Sequence, residues 1–310
     1  MVNKKRYINV FSVFLLFLLL GAVVPRLYAQ DVAVILSEDY KVYSLALTGF
    51  KSVCNASVRE YSMYGMVEEG ERIIKNIESQ DPKLIFAIGN KAAQVAKMNI
   101  FDVPIVFSLV INPEQYGLTG GNICGVSLDV SPQDQLKMLK EVAPSARKVG
   151  VIYNPAKNEN IVYDAKSVAR NLGLEIIAKK AITRADVSEA IDDLSGRIDA
   201  FWMIIDPLVA NRAVLKRLLL FTLTERVALM VPAEAFVKEG GLLAADVDYL
   251  SIGRQAGEIA NQILVSAGTP RSIGVKTPSD VGLVVNLKTA RTIGLSIPQS
   301  IIDEAAKVIE

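Results

Sequence analysis

The 310-residue chain contains no histidine. That absence removes Ser-His-acid triads, Cys-His dyads and the usual histidine-built zinc sites from consideration. Cysteine is nearly missing too: Cys54 and Cys124 are the only two. They are too few for a disulfide scaffold and could at most pair once in an oxidising compartment. There is no excess of basic charge, with 34 Lys and Arg against 33 Asp and Glu. A near-neutral chain lacks the electrostatic footprint of a nucleic-acid partner. Low-complexity tracts and long linkers are also absent. What remains is 51% hydrophobic residues, enough for a substantial core in one large or two medium domains.

The N-terminus differs from the rest. Lys4, Lys5 and Arg6 form a basic start, and an apolar run from Ile8 to Val24 follows, interrupted by Asn9 and Ser12. Pro25 breaks the run, and Leu27-Tyr28-Ala29 ends on a small residue before Gln30. This is the order of a secretory signal peptide. We expect residues 1–29 to be a leader cut near Ala29, and the remainder to be periplasmic or extracellular. The alternative is an uncleaved membrane anchor, because the run of 17 residues is long for a signal core and short of the roughly 20 needed to span a bilayer. The leader holds four basic residues and no acidic one, leaving 30 basic against 33 acidic beyond it.

From Asp31 onward, strand-like and helical patterns alternate. Apolar stretches predict strands at Val32–Leu36, Ser57–Tyr61, Leu84–Ile88, Ile105–Val110 and Ile123–Leu128. Runs such as "LIFAI" are apolar on consecutive residues, the pattern of strands buried on both faces of a parallel sheet. Helices are expected over Glu68–Ser79 and Lys91–Met98. The programme then repeats. Ser131 caps a helix with Pro132 in its first turn, followed by strand Val149–Tyr153, a helix carrying Ile161, Ala165, Val168 and Leu172, and strand Leu174–Ala178. A helix with Asp186 and Glu189 in capping-box spacing comes next. Strands Ala200–Ile205, Ala228–Val231 and Gly241–Asp246 follow, with a helix around Ala213–Glu225 between the first two. A helix bearing Ile252, Ala256, Ile259 and Ile263, strand Leu283–Leu287 and a closing helix near Pro298–Ile309 complete the chain. Two such units predict an α/β protein with two doubly wound parallel-sheet lobes. Residues 30–128 with about 249–278 form the first lobe; residues 129–248 with about 279–310 form the second. Ligands of open parallel sheets sit beyond the carboxyl ends of the strands, so two lobes can enclose one between them. In a strand order 2-1-3-4-5, Cys54 and Cys124 fall at opposite edges, roughly 19 Å apart at about 4.8 Å per strand, and are expected to be free thiols.

Several strand-end loops hold candidate ligand contacts. In Gly89-Asn90-Lys91-Ala92 a glycine opens a helix, whose first N–H groups and dipole suit a carboxylate. The loop lacks the spaced glycines of G-x-G-x-x-G and the Gly-Lys-Ser/Thr of a P-loop, so nucleotide binding is unsupported. Its bland reading is a tight strand-to-helix turn. Asp206, at the end of an apolar strand, could hold an ammonium group or, more plainly, cap the next helix. Asn154, Asn158 and Asn160 offer paired donors and acceptors, or turn and cap chemistry. Asn112, Glu234 and Asp246 sit at equivalent strand ends, with Ser37 and Tyr40 after the first strand; Tyr40 and Tyr43 are the aromatic candidates. Trp202, inside "AFWMII", reads as core. No catalytic pairing, cofactor motif or metal-ligand cluster is present.

The segments "FAIGNKAAQVAK" (86–97), "VPIVFSLVINPEQYGL" (103–118), "GGNICGVSLD" (120–129), "KVGVIYNP" (148–155) and "VVNLKTARTIGLSIP" (284–298) occur in an order that resembles the ABC transporter substrate-binding protein family. That family includes the tryptophan/tyrosine-type binding proteins. The resemblance covers essentially the whole chain after the leader. It implies a type I periplasmic-binding fold whose lobes, joined by crossover strands, close on a small ligand, an ABC permease in the membrane as partner, no cofactor, and a monomer. The family often has threonine and proline where this chain has Asn90 and Lys91, aspartate in place of Asn112, and threonine in place of Cys124. The expected function is therefore an exported solute-binding protein that traps a zwitterionic ligand, an amino acid with an aromatic side chain among the options. A periplasmic partner of a signalling receptor and an exported Rossmann-like enzyme using Asp206 or Glu234 are the competing readings.

Overall fold

The computed structural model describes residues 31–310; the expected leader, residues 1–29, lies outside the described residues. The chain begins with β1 (Val32–Leu36), α1 (Lys41–Val53), β2 (Val58–Ser62), α2 (Val67–Glu78), β3 (Leu84–Ile88), α3 (Asn90–Asn99), β4 (Ile105–Val110), a 3-10 turn (Pro113–Tyr116) and β5 (Ile123–Ser127). It then enters a second unit: α4 (Pro132–Val142), β6 (Lys148–Tyr153), α5 (Pro155–Asn171), β7 (Glu175–Lys180), α6 (Arg184–Asp193), β8 (Ala200–Trp202), α7 (Arg212–Glu225), β9 (Ala228–Val231), α8 (Glu234–Lys238) and β10 (Leu243–Val247). The chain returns to the first unit for α9 (Tyr249–Leu264), α10 (Pro270–Ile273) and β11 (Val275–Lys276). It ends in the second with β12 (Val281–Asn286), α11 (Leu287–Ile293), α12 (Gln299–Glu304) and β13 (Lys307–Ile309).

The first sheet has six strands in the order β11-β5-β4-β3-β1-β2, all parallel, and so contains the predicted order 2-1-3-4-5. Cys54 and Cys124 are free. The second sheet runs β13-β12-β10-β9-β8-β6-β7, with β12 antiparallel to β10 and parallel to β13. Each lobe is thus a sheet with helices on both faces. In β3 every residue is buried, and the alternation that sequence hydropathy conceals is visible in packing. Leu84, Phe86 and Ile88 face α1 and α9, while Ile85 and Ala87 face α2 and α3. The return helix α9 is held tightly against α1. A Cβ on Gly49 would stand 2.0 Å from the Leu250 carbonyl oxygen, and one on Gly253 would stand 1.9 Å from that of Ala46. Only glycine lets the two backbones approach so closely.

Several expectations need correction. The capping box of α6 is made by Thr183 and Asp186, each side chain accepting from the other's N–H, and not by Asp186 and Glu189. The strand expected over 200–205 stops at Trp202, because Met203 onward turns toward the loop that carries Asp206. The closing segment is not one helix. It is α12 followed by β13, whose Lys307–Ile309 pairs with Val284–Asn286 and supplies an edge strand. A short apolar stretch cannot reveal whether a sheet edge awaits it. Trp202 is fully buried as expected, and its indole N–H donates to Gln135 Oε1 at 2.8 Å.

Candidate functional site

At the carboxyl end of β3, Gly89 has φ +89°, a conformation that favours glycine. A Cβ there would also lie 2.7 Å from the Tyr43 hydroxyl and 2.8 Å from Ser37 Oγ. Two hydroxyls therefore close over this glycine at the mouth of α3. Ser37 is buried, and its Oγ accepts the Ala92 N–H at 2.8 Å. The Ala92 N–H expected to reach a ligand is thus already satisfied by the Ser37 oxygen. Lys91 is likewise committed, donating to Glu38 Oε1 at 2.8 Å and to the Gly65 carbonyl at 2.9 Å. Glu38 raises the Lys91 pKa, so the amine stays charged. Asn90 Oδ1 is buried without a protein partner. Tyr40 is 58% exposed and its ring centroid lies 5.6 Å from that of Tyr43. Burial, followed by Glu38, pushes the Tyr43 phenol pKa up and keeps it protonated as a donor.

Next along the same sheet edge, β4 ends irregularly. Its register with β5 shifts between Ser108 and Val110, and Leu109 has φ +56°. Ser108 is fully buried, and its Oγ has no protein partner. Asn112 is left-handed at φ +49°, and its N–H donates to Asp129 Oδ2 at 2.8 Å. Asp129 lies just past β5 on the crossover to α4. Burial raises its pKa to about 6, with Glu114 adding to the rise and the Asn112 N–H opposing it. From the 3-10 turn of this loop, Gln115 Nε2 donates to the Lys157 carbonyl of α5 at 2.8 Å, a contact from one lobe to the other.

On the facing lobe, Asp206 is 1% exposed. Its Oδ2 accepts from the Asn154 N–H at 2.8 Å and from Asn158 Nδ2 at 2.7 Å, and its Oδ1 accepts from the Leu208 N–H at 2.9 Å. Three donors from the protein occupy most of the acceptor capacity of the carboxylate. Asp206 therefore ties the β6–α5 loop to the segment after β8, and it does not cap the next helix as expected. The cap of α7 is Asn211. Asn154 caps α5 by accepting the Ala156 N–H. Asn158 interrupts α5 with φ −128°, is 1% exposed, and has an Oδ1 with no protein partner. Asn160, six residues beyond the cap, is exposed on α5.

Glu234 and Asp246 fall apart from these groups. They line an open pocket of about 490 Å³ with Asp248, Tyr249, Asp280 and Gly282, beside the crossovers into α9 and β12. Glu234 is held by Lys238 and Lys307, which lower its pKa. Burial and then Glu234 raise the pKa of Asp246. Among the described residues no helix is long and apolar enough to cross a membrane, and no cluster of acidic or cysteine side chains could hold a metal ion.

Sequence reasoning missed Ser108, which sat inside the stretch read as strand Ile105–Val110, and Asp129, which directly follows the one read as strand Ile123–Leu128. A hydrophilic side chain ending "GVSLD" and a lone serine in "PIVFSLV" were the available signals.

Comparison with known proteins agrees with this architecture. The family model described as ABC transporter substrate binding protein matches residues 44–309. The chain belongs to that family. A curated relative, the tyrosine-binding protein of Clostridioides difficile strain R20291, is 27% identical over 256 residues, covering 80% of this chain and 73% of the relative. Among solved structures, a ligand-free, open substrate-binding protein with adhesive properties from Clostridium difficile superposes with TM-score 0.73 at 24% identity, over 90% of this chain and 99% of that one. An ABC domain in complex with L-Trp from Streptococcus pneumonia gives TM-score 0.61 at 21% identity, with the same coverage of both chains. These neighbours share the type I periplasmic-binding fold. The family is one of substrate-binding proteins, not enzymes.

Proposed function

We propose that this substrate-binding protein is exported by its N-terminal leader and delivers an amino acid to the membrane permease of an ABC importer. The two lobes close on the ligand by bending at the crossovers after β5, β10 and β11. Hinge closure around a small molecule is the motion such architectures use. The observation that carries this reading is the set of buried polar atoms without protein partners: Asn90 Oδ1 and Ser108 Oγ on the first lobe, and Asn158 Oδ1 on the second. Buried polar groups are nearly always paired, and these three lie near the strand ends where an open-sheet ligand binds. The Ser37 and Tyr43 hydroxyls and the first turn of α3 suit the ligand carboxylate, because neutral donors there reinforce the helix dipole. Tyr40 and Tyr43 offer ring faces to an aromatic side chain. The names of the relatives, one tyrosine-binding and one solved with L-Trp, support an aromatic amino acid.

The test is a thermal-shift panel of the twenty amino acids and a set of sugars on the leader-free protein, followed by calorimetry. One or a few amino acids should raise the melting temperature without being consumed, with tyrosine or tryptophan foremost. Stabilisation by sugars alone would overturn the reading, and so would turnover of any stabilising compound.

A further inference from the structure

We propose that the ammonium group of the ligand is received by Asp129, on the first crossover segment, with Asn158 Oδ1 as its acceptor on the facing lobe. The assignment rests on the amino-acid reading above and differs from the expectation that Asp206 plays this part. Asp129 stands between Ser127, the last residue of β5, and Ser131, the N-cap of α4. It thus lies on a segment that must bend when the lobes move. Its Oδ2 accepts only the Asn112 N–H at 2.8 Å, and no lysine or arginine pairs with it among the described residues. A part-buried carboxylate with one neutral donor lacks what an ammonium group supplies.

The surroundings are shaped for that vacancy of charge. The left-handed turns at Leu109 and Asn112 fold the end of β4 so that a main-chain N–H meets Asp129. The same loop reaches across to the Lys157 carbonyl through Gln115, and the next residue is Asn158. Asn158 Nδ2 is fixed on Asp206, so its unpartnered Oδ1 remains an acceptor. A carboxylate and an amide oxygen short of donors complement an ammonium group, which carries three donors and no acceptor. Asp206 presents the opposite case, with its donors already in place. The pKa of Asp129, raised to about 6 by burial and by the nearby Glu114, is that of an acid that gains from a cation.

The variant that tests this is Asp129→Asn, which keeps an oxygen for the Asn112 N–H and removes the charge. Calorimetry would use the amino acid giving the largest thermal shift in the panel, together with its des-amino analogue, the same acid without the ammonium group. Wild type should prefer the amino acid strongly. Asp129→Asn should bind it roughly 10- to 100-fold more weakly, the scale of a charge-assisted hydrogen bond, while changing affinity for the des-amino analogue less than threefold. Between pH 7.5 and 5 the wild-type affinity should fall as Asp129 takes up a proton below about 6, and the variant should be flat over that range. Glu114→Gln should retain the pH dependence with its midpoint moved downward. Equal affinity of wild type and Asp129→Asn for the amino acid would overturn the assignment and leave the binding function standing. Equal losses for the amino acid and its des-amino analogue would also overturn it. If wild type bound no amino acid at all, the function itself would fall, and this assignment with it.

Discussion

At the carboxyl end of β3, Ser37, Tyr43 and the first turn of α3 present hydroxyls and N–H groups around a glycine. At the carboxyl ends of β6 and β8, Asn154, Asn158 and Asp206 form a knot around a carboxylate. The first region owes its shape to the lack of a side chain, since any Cβ on Gly89 would collide with both hydroxyls. The second owes its shape to a buried charge that draws three donors inward. Yet both regions use their formal charges internally, Lys91 on Glu38 and Asp206 on neighbouring amides. What they offer a ligand is mostly neutral. Under the proposed function these two regions would meet a zwitterion chiefly with neutral donors and acceptors, and the uncompensated carboxylate, which we place at Asp129, would meet its ammonium group.

The largest break in that comparison should come from Gly89→Ala. Its φ of +89° with ψ of 167° and the two close hydroxyls together predict a stability loss of about 3 kcal/mol, measured by denaturant unfolding, and strongly weakened ligand binding. Gly117→Ala is the comparison, at a glycine in the ordinary left-handed region with ψ 23°. It also has a positive φ, +63°, but nothing within 4 Å of an added Cβ, so it should cost only about 1 kcal/mol. Equal losses at the two positions would show that neither the hydroxyl pair nor the ψ of 167° adds to the cost of a positive φ at Gly89.

Asp206→Asn should come next. One amide oxygen cannot replace two carboxylate oxygens that serve three donors, and the new NH2 group faces a donor in return. A loss of about 2 kcal/mol without ligand is expected, with weaker binding following from the disordered Asn158. If unfolding stability were unchanged while affinity fell, Asp206 would be a ligand contact after all, and the contrast between the lobes would reverse.

These two positions also show what could be seen in the sequence and what could not. The strands were legible because LIFAI and its neighbours are buried on both faces, and burial on both faces leaves an unbroken apolar run. The β13 edge was not, because Lys307–Ile309 becomes a strand only through pairing with β12. The site followed the same division. That Gly89, Asn112, Asn154 and Asp206 stand at strand ends follows from the alternation of elements. That Asp206 is enclosed by Asn154 and Asn158, some fifty positions earlier, depends on packing that no local pattern encodes. Asp129 escaped notice for a related reason: its importance lies in which partner it lacks, and a missing partner is a property of the folded neighbourhood.

Ser37→Ala separates two functions of one hydroxyl. The buried oxygen accepts the Ala92 N–H, so its loss should cost about 1 kcal/mol of stability. If its proton also points to the ligand carboxylate, affinity should fall by roughly five- to tenfold. Ser37→Thr restores the oxygen and should recover the stability, provided the extra methyl finds space beside Gly89. A loss of stability with unchanged affinity would mean that the carboxylate is held by other donors.

Lys91→Ala should have the smallest effect, although Lys91 is the one cation in the loop that opens α3. Its amine is held by Glu38 and the Gly65 carbonyl on the side chain's exposed flank, and ion pairs at exposed sites contribute little. Affinity at moderate salt should change less than about twofold. The double variant Lys91→Ala with Glu38→Gln removes both charges and should resemble wild type more closely than Lys91→Ala alone, because the single variant leaves Glu38 uncompensated near the ligand carboxylate. Should Lys91→Ala instead lower affinity tenfold or more, with no rescue in the double variant, the lysine would be releasing Glu38 when ligand arrives. The first lobe would then supply a charge of its own to the site, and the neutral character assigned to it would be a property of the ligand-free arrangement alone.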